Sequence, residues 1–83
     1  MKEVPGRLAA YLLYLSDQKK GAKDLDLTIT KAQLASLLGT IPETLSRIFG
    51  KLSSQGLIET DGRRIRILDS EALQDLAESG GRL

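Results

Sequence analysis

Apolar residues recur at three- and four-residue spacing in some stretches of the chain and alternate with polar residues in others, and the two periods separate helices from strands. Val4, Leu8, Leu12 and Leu15 make the first helical stripe, with Pro5 tolerable in its first turn and Lys19-Lys20-Gly21 as a cationic, glycine-terminated end. A polar connector over residues 22–26 leads into Leu25-Asp26-Leu27-Thr28-Ile29, whose alternation predicts a short half-buried strand. Thr30 and Gln33 stand at capping-box spacing ahead of Leu34, Leu37 and Leu38. This predicts a two-turn helix with those leucines inward and Gly39 as its stop. Thr40 and Glu43 repeat the capping-box spacing, Pro42 suits a first helical turn, and a third helix is expected to run to about Gln55 before Gly56.

The third helix carries two faces of unlike chemistry. At 100° per residue with Leu45 at zero, Ile48, Phe49 and Leu52 fall within about 60° of it, as a buried stripe does, while Glu43, Ser46, Arg47 and Gly50 point the opposite way. Beyond it, residues 57–60 and 63–68 flank Asp61-Gly62, the dipeptide of a two-residue type I′ hairpin whose central residues both take positive φ. A two-stranded ribbon is therefore expected. Asp69 or Ser70 can cap a last helix reaching Glu78, with Ala72, Leu73, Leu76 and Ala77 inward and Ser79-Gly80-Gly81 fraying.

The 83 residues suffice for one small domain, and no linker, repeat or low-complexity tract divides them. Tyr11, Tyr14 and Phe49 are the only aromatics, so leucine, isoleucine and alanine must build the core. With no cysteine and no histidine, disulfides, thiolate nucleophiles and the commonest general base are excluded, and no metal or cofactor is expected in this chain. The net charge of +1 conceals an asymmetry: residues 1–66 hold 11 Lys/Arg against 7 Asp/Glu, whereas residues 67–83 hold 1 against 4. So mild a balance does not announce nucleic-acid binding, and the placement of the charges has to decide. No charged-then-apolar leader precedes the first helix, and the apolar run over residues 8–15 is too short to span a bilayer. A soluble, cytoplasmic protein with no membrane partner is expected.

Two short helices joined by a glycine turn, then a β-ribbon, predict a winged helix-turn-helix. The fold class is mainly α with a small β-hairpin (α+β), ordered helix, short strand, helix, turn, recognition helix, β-ribbon wing, C-terminal helix. Ala35 is small where the two central helices approach, Gly39 permits the sharp turn, and Leu34, Leu38, Leu45 and Ile48 share an apolar interior. The helix-turn-helix core would occupy about 30–55 and the wing about 57–68 of one domain spanning 1–83. The alternative is a generic αα-hairpin in another small helical domain.

The chain resembles the C-terminal DNA-binding domain of the CRP/FNR superfamily of bacterial transcription regulators. The resemblance is carried by Pro5-Gly6-Arg7-Leu8-Ala9, Leu27-Thr28-Ile29-Thr30-Lys31, Gln33-Leu34-Ala35 through Gly39, and above all Pro42-Glu43-Thr44-Leu45-Ser46-Arg47. Leu52, Gly56-Leu57-Ile58 and the hairpin complete it. The Glu-Thr-Leu-Ser-Arg core is closer to the FNR branch than to the cyclic-AMP receptor branch, in which an arginine normally stands at the place of Pro42. The resemblance implies a TTGAT-like palindromic half-site over TGTGA, a homodimeric parent, and contact with RNA polymerase. In that family a sensor domain and a dimerisation helix precede this module. Both are missing from this sequence, so an excised output domain is expected, its effector unknown.

Read from the residues themselves, Arg47 can donate two hydrogen bonds to guanine O6 and N7, and Glu43 can accept from a cytosine N4 amino group while orienting the arginine. Ser46 can bond to a base or phosphate and touch a thymine methyl. The plainer reading of Glu43 and Arg47 is a surface i,i+4 ion pair worth about 0.3–0.5 kcal/mol. Thr30, Lys31, Thr40, Thr44 and Lys51, at helix ends or on the flank of the third helix, are candidates for phosphate contacts, with routine capping and solvation as the alternative. At the ribbon tip Arg63 and Arg64 are candidates to grip the DNA backbone, while Arg66, on the face of Arg64, could equally protect an exposed edge strand.

The function expected is sequence-specific binding of double-stranded DNA with the third helix in the major groove. A winged helix that docks proteins without touching DNA is the rival. An enzyme using Asp26, Glu59 or Asp61 finds no support, because nothing brings two of these carboxylates together in a pocket.

Overall fold

The computed structural model describes residues 3–79, so the expected fraying at Gly80 and Gly81 lies outside the described residues. Seven elements follow one another: α1 (Val4–Gln18), β1 (Asp24–Asp26), α2 (Lys31–Leu38), α3 (Pro42–Ser54), β2 (Ile58–Asp61), β3 (Arg64–Ile67) and α4 (Ser70–Glu78). This is the order expected of a winged helix-turn-helix. Helix α1 lies along α4 and also meets α2 and β1, while α3 packs between α2 and β2. Leu8, Leu12, Leu34, Leu45, Leu52, Ile58, Ile65 and Leu73 are fully buried where these elements converge. The core is one aliphatic cluster with Phe49 as its buried phenyl ring. Among the described residues no buried side-chain nitrogen or oxygen lacks a partner. No helix is long and apolar enough to cross a membrane, again among the described residues.

The strands depart from the expected two-stranded ribbon. β1 begins one residue early and ends at Asp26, and it joins the sheet, whose order is β1-β3-β2 with both pairings antiparallel. The Leu27 amide donates to the Arg63 carbonyl at 2.9 Å and the Ile67 amide to the Lys23 carbonyl at 2.8 Å, extending the ladder past both ends of β1. Leu25 and Leu27 are buried as their alternation requires. β3 is consequently the central strand, which removes the edge-strand reading of Arg66.

The hairpin turn is also shifted by one residue. Asp61 pairs with Arg64, leaving Gly62-Arg63 as the two-residue loop, with φ of 61° at Gly62 and no positive φ at Asp61. That is the pattern of a type II′ turn, which asks for positive φ only where a glycine stands. The expected type I′ turn would have forced Asp61 into the left-handed region, which costs an L-residue about 1–2 kcal/mol.

Two smaller corrections concern the helices, and of the two caps expected for the last helix one is chosen. Leu37, expected inward, is 63% exposed, because only Leu34, Ala35 and Leu38 of α2 meet the core. Helix α1 closes through Lys20, which takes φ of 58° while the Gly21 amide donates to the Ser16 carbonyl at 2.8 Å, so the left-handed step begins one residue before the glycine. Helix α4 is capped by Asp69, whose carboxylate accepts from the Ala72 amide at 3.0 Å.

Candidate nucleic-acid interface

The turn between α2 and α3 is built from backbone groups and one distant arginine. Gly39 adopts φ of 77°; its amide donates to Ser36 O at 3.1 Å and the Thr40 amide donates to Ala35 O at 2.8 Å, a Schellman closure of α2. The last α2 carbonyl, at Leu38, accepts from Arg7 Nη1 at 2.9 Å, reaching across from α1. A Cβ on Gly39 would stand 3.2 Å from that same nitrogen. The glycine thus answers two demands at once, a left-handed backbone and the close approach of a guanidinium. Sequence reasoning missed Arg7 in this role. Its signal, a cation in the first turn of α1, has no local partner to point at.

The second expected capping box does not form. Residue Ile41, with extended φ and ψ, is the N-cap of α3, and no side chain caps it. Thr40 belongs to the closure of α2, so α3 starts one residue later, with Pro42 in its first turn. By contrast, the first box is complete: Thr30 Oγ1 accepts from the Gln33 amide at 3.1 Å, and Gln33 Oε1 accepts from the Thr30 amide at 2.9 Å.

Freed from capping, Glu43 faces Arg47 one turn on. Arg47 Nη2 donates to Glu43 Oε1 at 3.2 Å, with both side chains 73% exposed. Neither makes another hydrogen bond among the described residues. Leu45, Ile48, Phe49 and Leu52 are buried on the opposite side, and Ser46, Gly50 and Lys51 are exposed with the pair. The expected division of α3 into a core stripe and an acid–hydroxyl–guanidinium face is present.

The flanking candidates separate into groups. Lys31 sits at the start of α2 with its ammonium 5.4 Å from the centroid of the Phe49 ring, which ties the α2 N-terminus to α3. Thr40 and Thr44 are half-buried beside the turn, and Thr30 keeps a free hydroxyl proton while its oxygen caps α2. In the first turn of α3 the Glu43 and Thr44 amides have no intrahelical acceptor, leaving donors for an anion. Arg63 projects from the turn itself, exposed.

Arg64 and Arg66 are placed differently. On β3 they stand between acids on both neighbouring strands: Asp24, Arg66 and Glu59 share one row across the sheet, and Asp26, Arg64 and Asp61 the next. Arg66 Nε donates to Asp24 Oδ1 at 2.8 Å, and Arg64 Nε lies 3.6 Å from Asp26 Oδ1. The hydrogen bond that Arg66 donates to Asp24, then the charges of Asp24 and Glu59, raise the Arg66 pKa above the ordinary arginine value. Sequence inspection missed these rows, although the signal was present as three strands of alternating charge, Asp24 and Asp26, Glu59 and Asp61, Arg64 and Arg66.

Residues 6–76 match a family model described as a Crp-like helix-turn-helix domain. The chain belongs to that family. Among curated relatives it is 32% identical over 83 residues to the transcriptional regulator SdrP of Thermus thermophilus, covering 96% of this chain and 41% of that protein. It is 38% identical over 80 residues to electron transport regulator A of Shewanella oneidensis, covering 92% and 32%. Among solved structures it matches DNR from Pseudomonas aeruginosa with a TM-score of 0.78 and 37% identity over 87% of this chain and 32% of that one. The Crp-like domain thus spans about a third to two fifths of these proteins, and the curated relatives are named as regulators, not as enzymes.

Proposed function

We propose that this domain binds double-stranded DNA sequence-specifically, as the output domain of a CRP/FNR-type transcription regulator, with α3 in the major groove. The observation that carries the proposal is the exposed Glu43–Arg47 pair beside Ser46 on the face of α3 opposite its buried stripe. An ion pair so exposed contributes only about 0.3–0.5 kcal/mol to the fold. Its hydrogen-bonding capacity is available to guanine and cytosine edges, with Arg47 as the donor to guanine and Glu43 the acceptor. Thr30, Lys31, Thr40, Thr44, Lys51 and Arg63 position the domain on phosphates, and Arg64 joins them once it parts from Asp26.

The likeness to the FNR branch supports a TTGAT-like half-site, a cytoplasmic homodimeric parent whose recognition helices lie about 34–36 Å apart on a palindrome, and contact with RNA polymerase. Selection of duplexes from a random library by an artificially dimerised chain tests the proposal. Recovery of a TTGAT-type dyad is expected, and Arg47→Ala is expected to lose about 1–3 kcal/mol with relaxed preference at one base pair. An equal loss on every duplex would make Arg47 a phosphate clamp. Absence of any salt-dependent association at low ionic strength would favour the protein-docking alternative.

A further inference from the structure

Gly50 stands in the interior of α3, where glycine is the poorest helix former after proline. The fold gives no return for it. Its backbone is not left-handed, unlike that of Gly21, Gly39, Gly56 and Gly62, and a Cβ placed on it would meet nothing within 4 Å. An alanine would therefore fit without moving any neighbour and would strengthen the helix.

Its position supplies the missing reason. Gly50 lies seven residues beyond Glu43, two turns along and about 20° out of line, and one turn beyond Ser46. It occupies the outward face that carries Glu43, Ser46 and Arg47, with exposed Lys51 beside it. A helix with its side chains measures about 10–12 Å across and the major groove is about 12 Å wide, so depth of entry is limited by whatever the facing row carries. A serine hydroxyl stands on a single methylene and reaches a base edge only if the helix backbone comes close. Building on the DNA-reading role proposed above, we infer that Gly50 is a specificity-determining clearance position: its missing side chain lets α3 settle deeply enough in the major groove for Ser46 and the Glu43–Arg47 pair to reach base edges.

The test compares the wild-type chain with Gly50→Ala and Gly50→Leu. Binding is measured on a duplex selected by the dimerised wild-type chain and on a scrambled duplex of equal length, alongside thermal unfolding. Both variants are expected to melt a few degrees higher than wild type, about 2–6 °C for Gly50→Ala. Affinity for the selected duplex is expected to fall severalfold with Gly50→Ala and by about tenfold or more with Gly50→Leu. Binding to the scrambled duplex and the salt slope on both should hold, because phosphate contacts are untouched. A stable Gly50→Leu chain that binds the selected duplex within twofold of wild type, or equal losses on both duplexes, overturns the inference while leaving the DNA-reading role intact. A wild-type chain without salt-dependent association to either duplex removes that role, and this inference with it.

Discussion

Helix α3 and the three-stranded sheet both display arginines paired with acids, yet the pairs are of opposite kinds. On α3, Glu43 and Arg47 are neighbours on one turn, joined only to each other and exposed alike. On the sheet, each of Arg64 and Arg66 is set between carboxylates of two other strands, and the pairings with β1 bridge segments some forty residues apart. The α3 pair can be exchanged for an outside partner without disturbing the fold. The sheet rows hold β1 to the wing, so an outside phosphate must compete with acids already in place. Cationic residues at a wing tip are therefore not equivalent, and Arg63, on the turn, stands outside the paired rows.

The largest effect expected falls on the turn that leads from α2 into α3. Gly39→Ala places a Cβ in a left-handed residue and against Arg7 Nη1, and is expected to lower stability by about 1–3 kcal/mol in urea unfolding. A change within about 0.3 kcal/mol would show that the turn tolerates ordinary backbone and that Arg7 moves aside freely.

Next comes a direct exchange of roles between the two regions. Asp26→Asn combined with Asp61→Asn leaves Arg64 without a carboxylate directly opposite it on either flanking strand. Duplex binding is expected to tighten about threefold to tenfold at low salt, with the salt slope steeper by about 0.9 per added phosphate contact. Unchanged affinity with an unchanged slope would place Arg64 out of reach of DNA and leave Arg63 as the wing's only contact among the candidates there.

How much of this was legible before folding differs between the same two regions. The faces of α3 follow from local periodicity, so Leu45, Ile48, Phe49 and Leu52 on one side and Glu43, Ser46 and Arg47 on the other were readable from spacing alone. Capping was legible where one helix owned the residue, as at Thr30, and failed at Thr40, whose amide closes the preceding helix. Leu37 shows the limit of periodicity in a two-turn helix, where too few residues define the stripe to exclude an apolar residue at its margin. The sheet was read least well. The alternation of Leu25 and Leu27 marked β1 as a strand, but nothing local pointed to its partner β3, which lies far along the chain. Arg7 escaped for the same reason, since its acceptor, Leu38 O, is 31 residues away.

The smallest expected effect separates local pairs from bridging ones. Glu43→Gln removes half of the α3 ion pair and an acid from the first turn of the helix. The pair contributes about 0.3–0.5 kcal/mol, and the acid's interaction with the helix dipole a similar amount, so the total loss is expected to stay below about 1 kcal/mol. Hydrogen exchange should then remain as in wild type beyond the first turn of α3, because nothing outside that turn depends on Glu43. Asp24→Asn offers the contrast. It removes the carboxylate held by Arg66 across the sheet, and exchange should quicken at the Leu27 and Ile67 amides, whose acceptors lie on opposite sides of the β1 junction. If both substitutions act only locally, the rows across the sheet are surface decoration. If both loosen distant amides, the pair on α3 is part of the scaffold, and Arg47 is less free to turn toward a base than its exposure suggests.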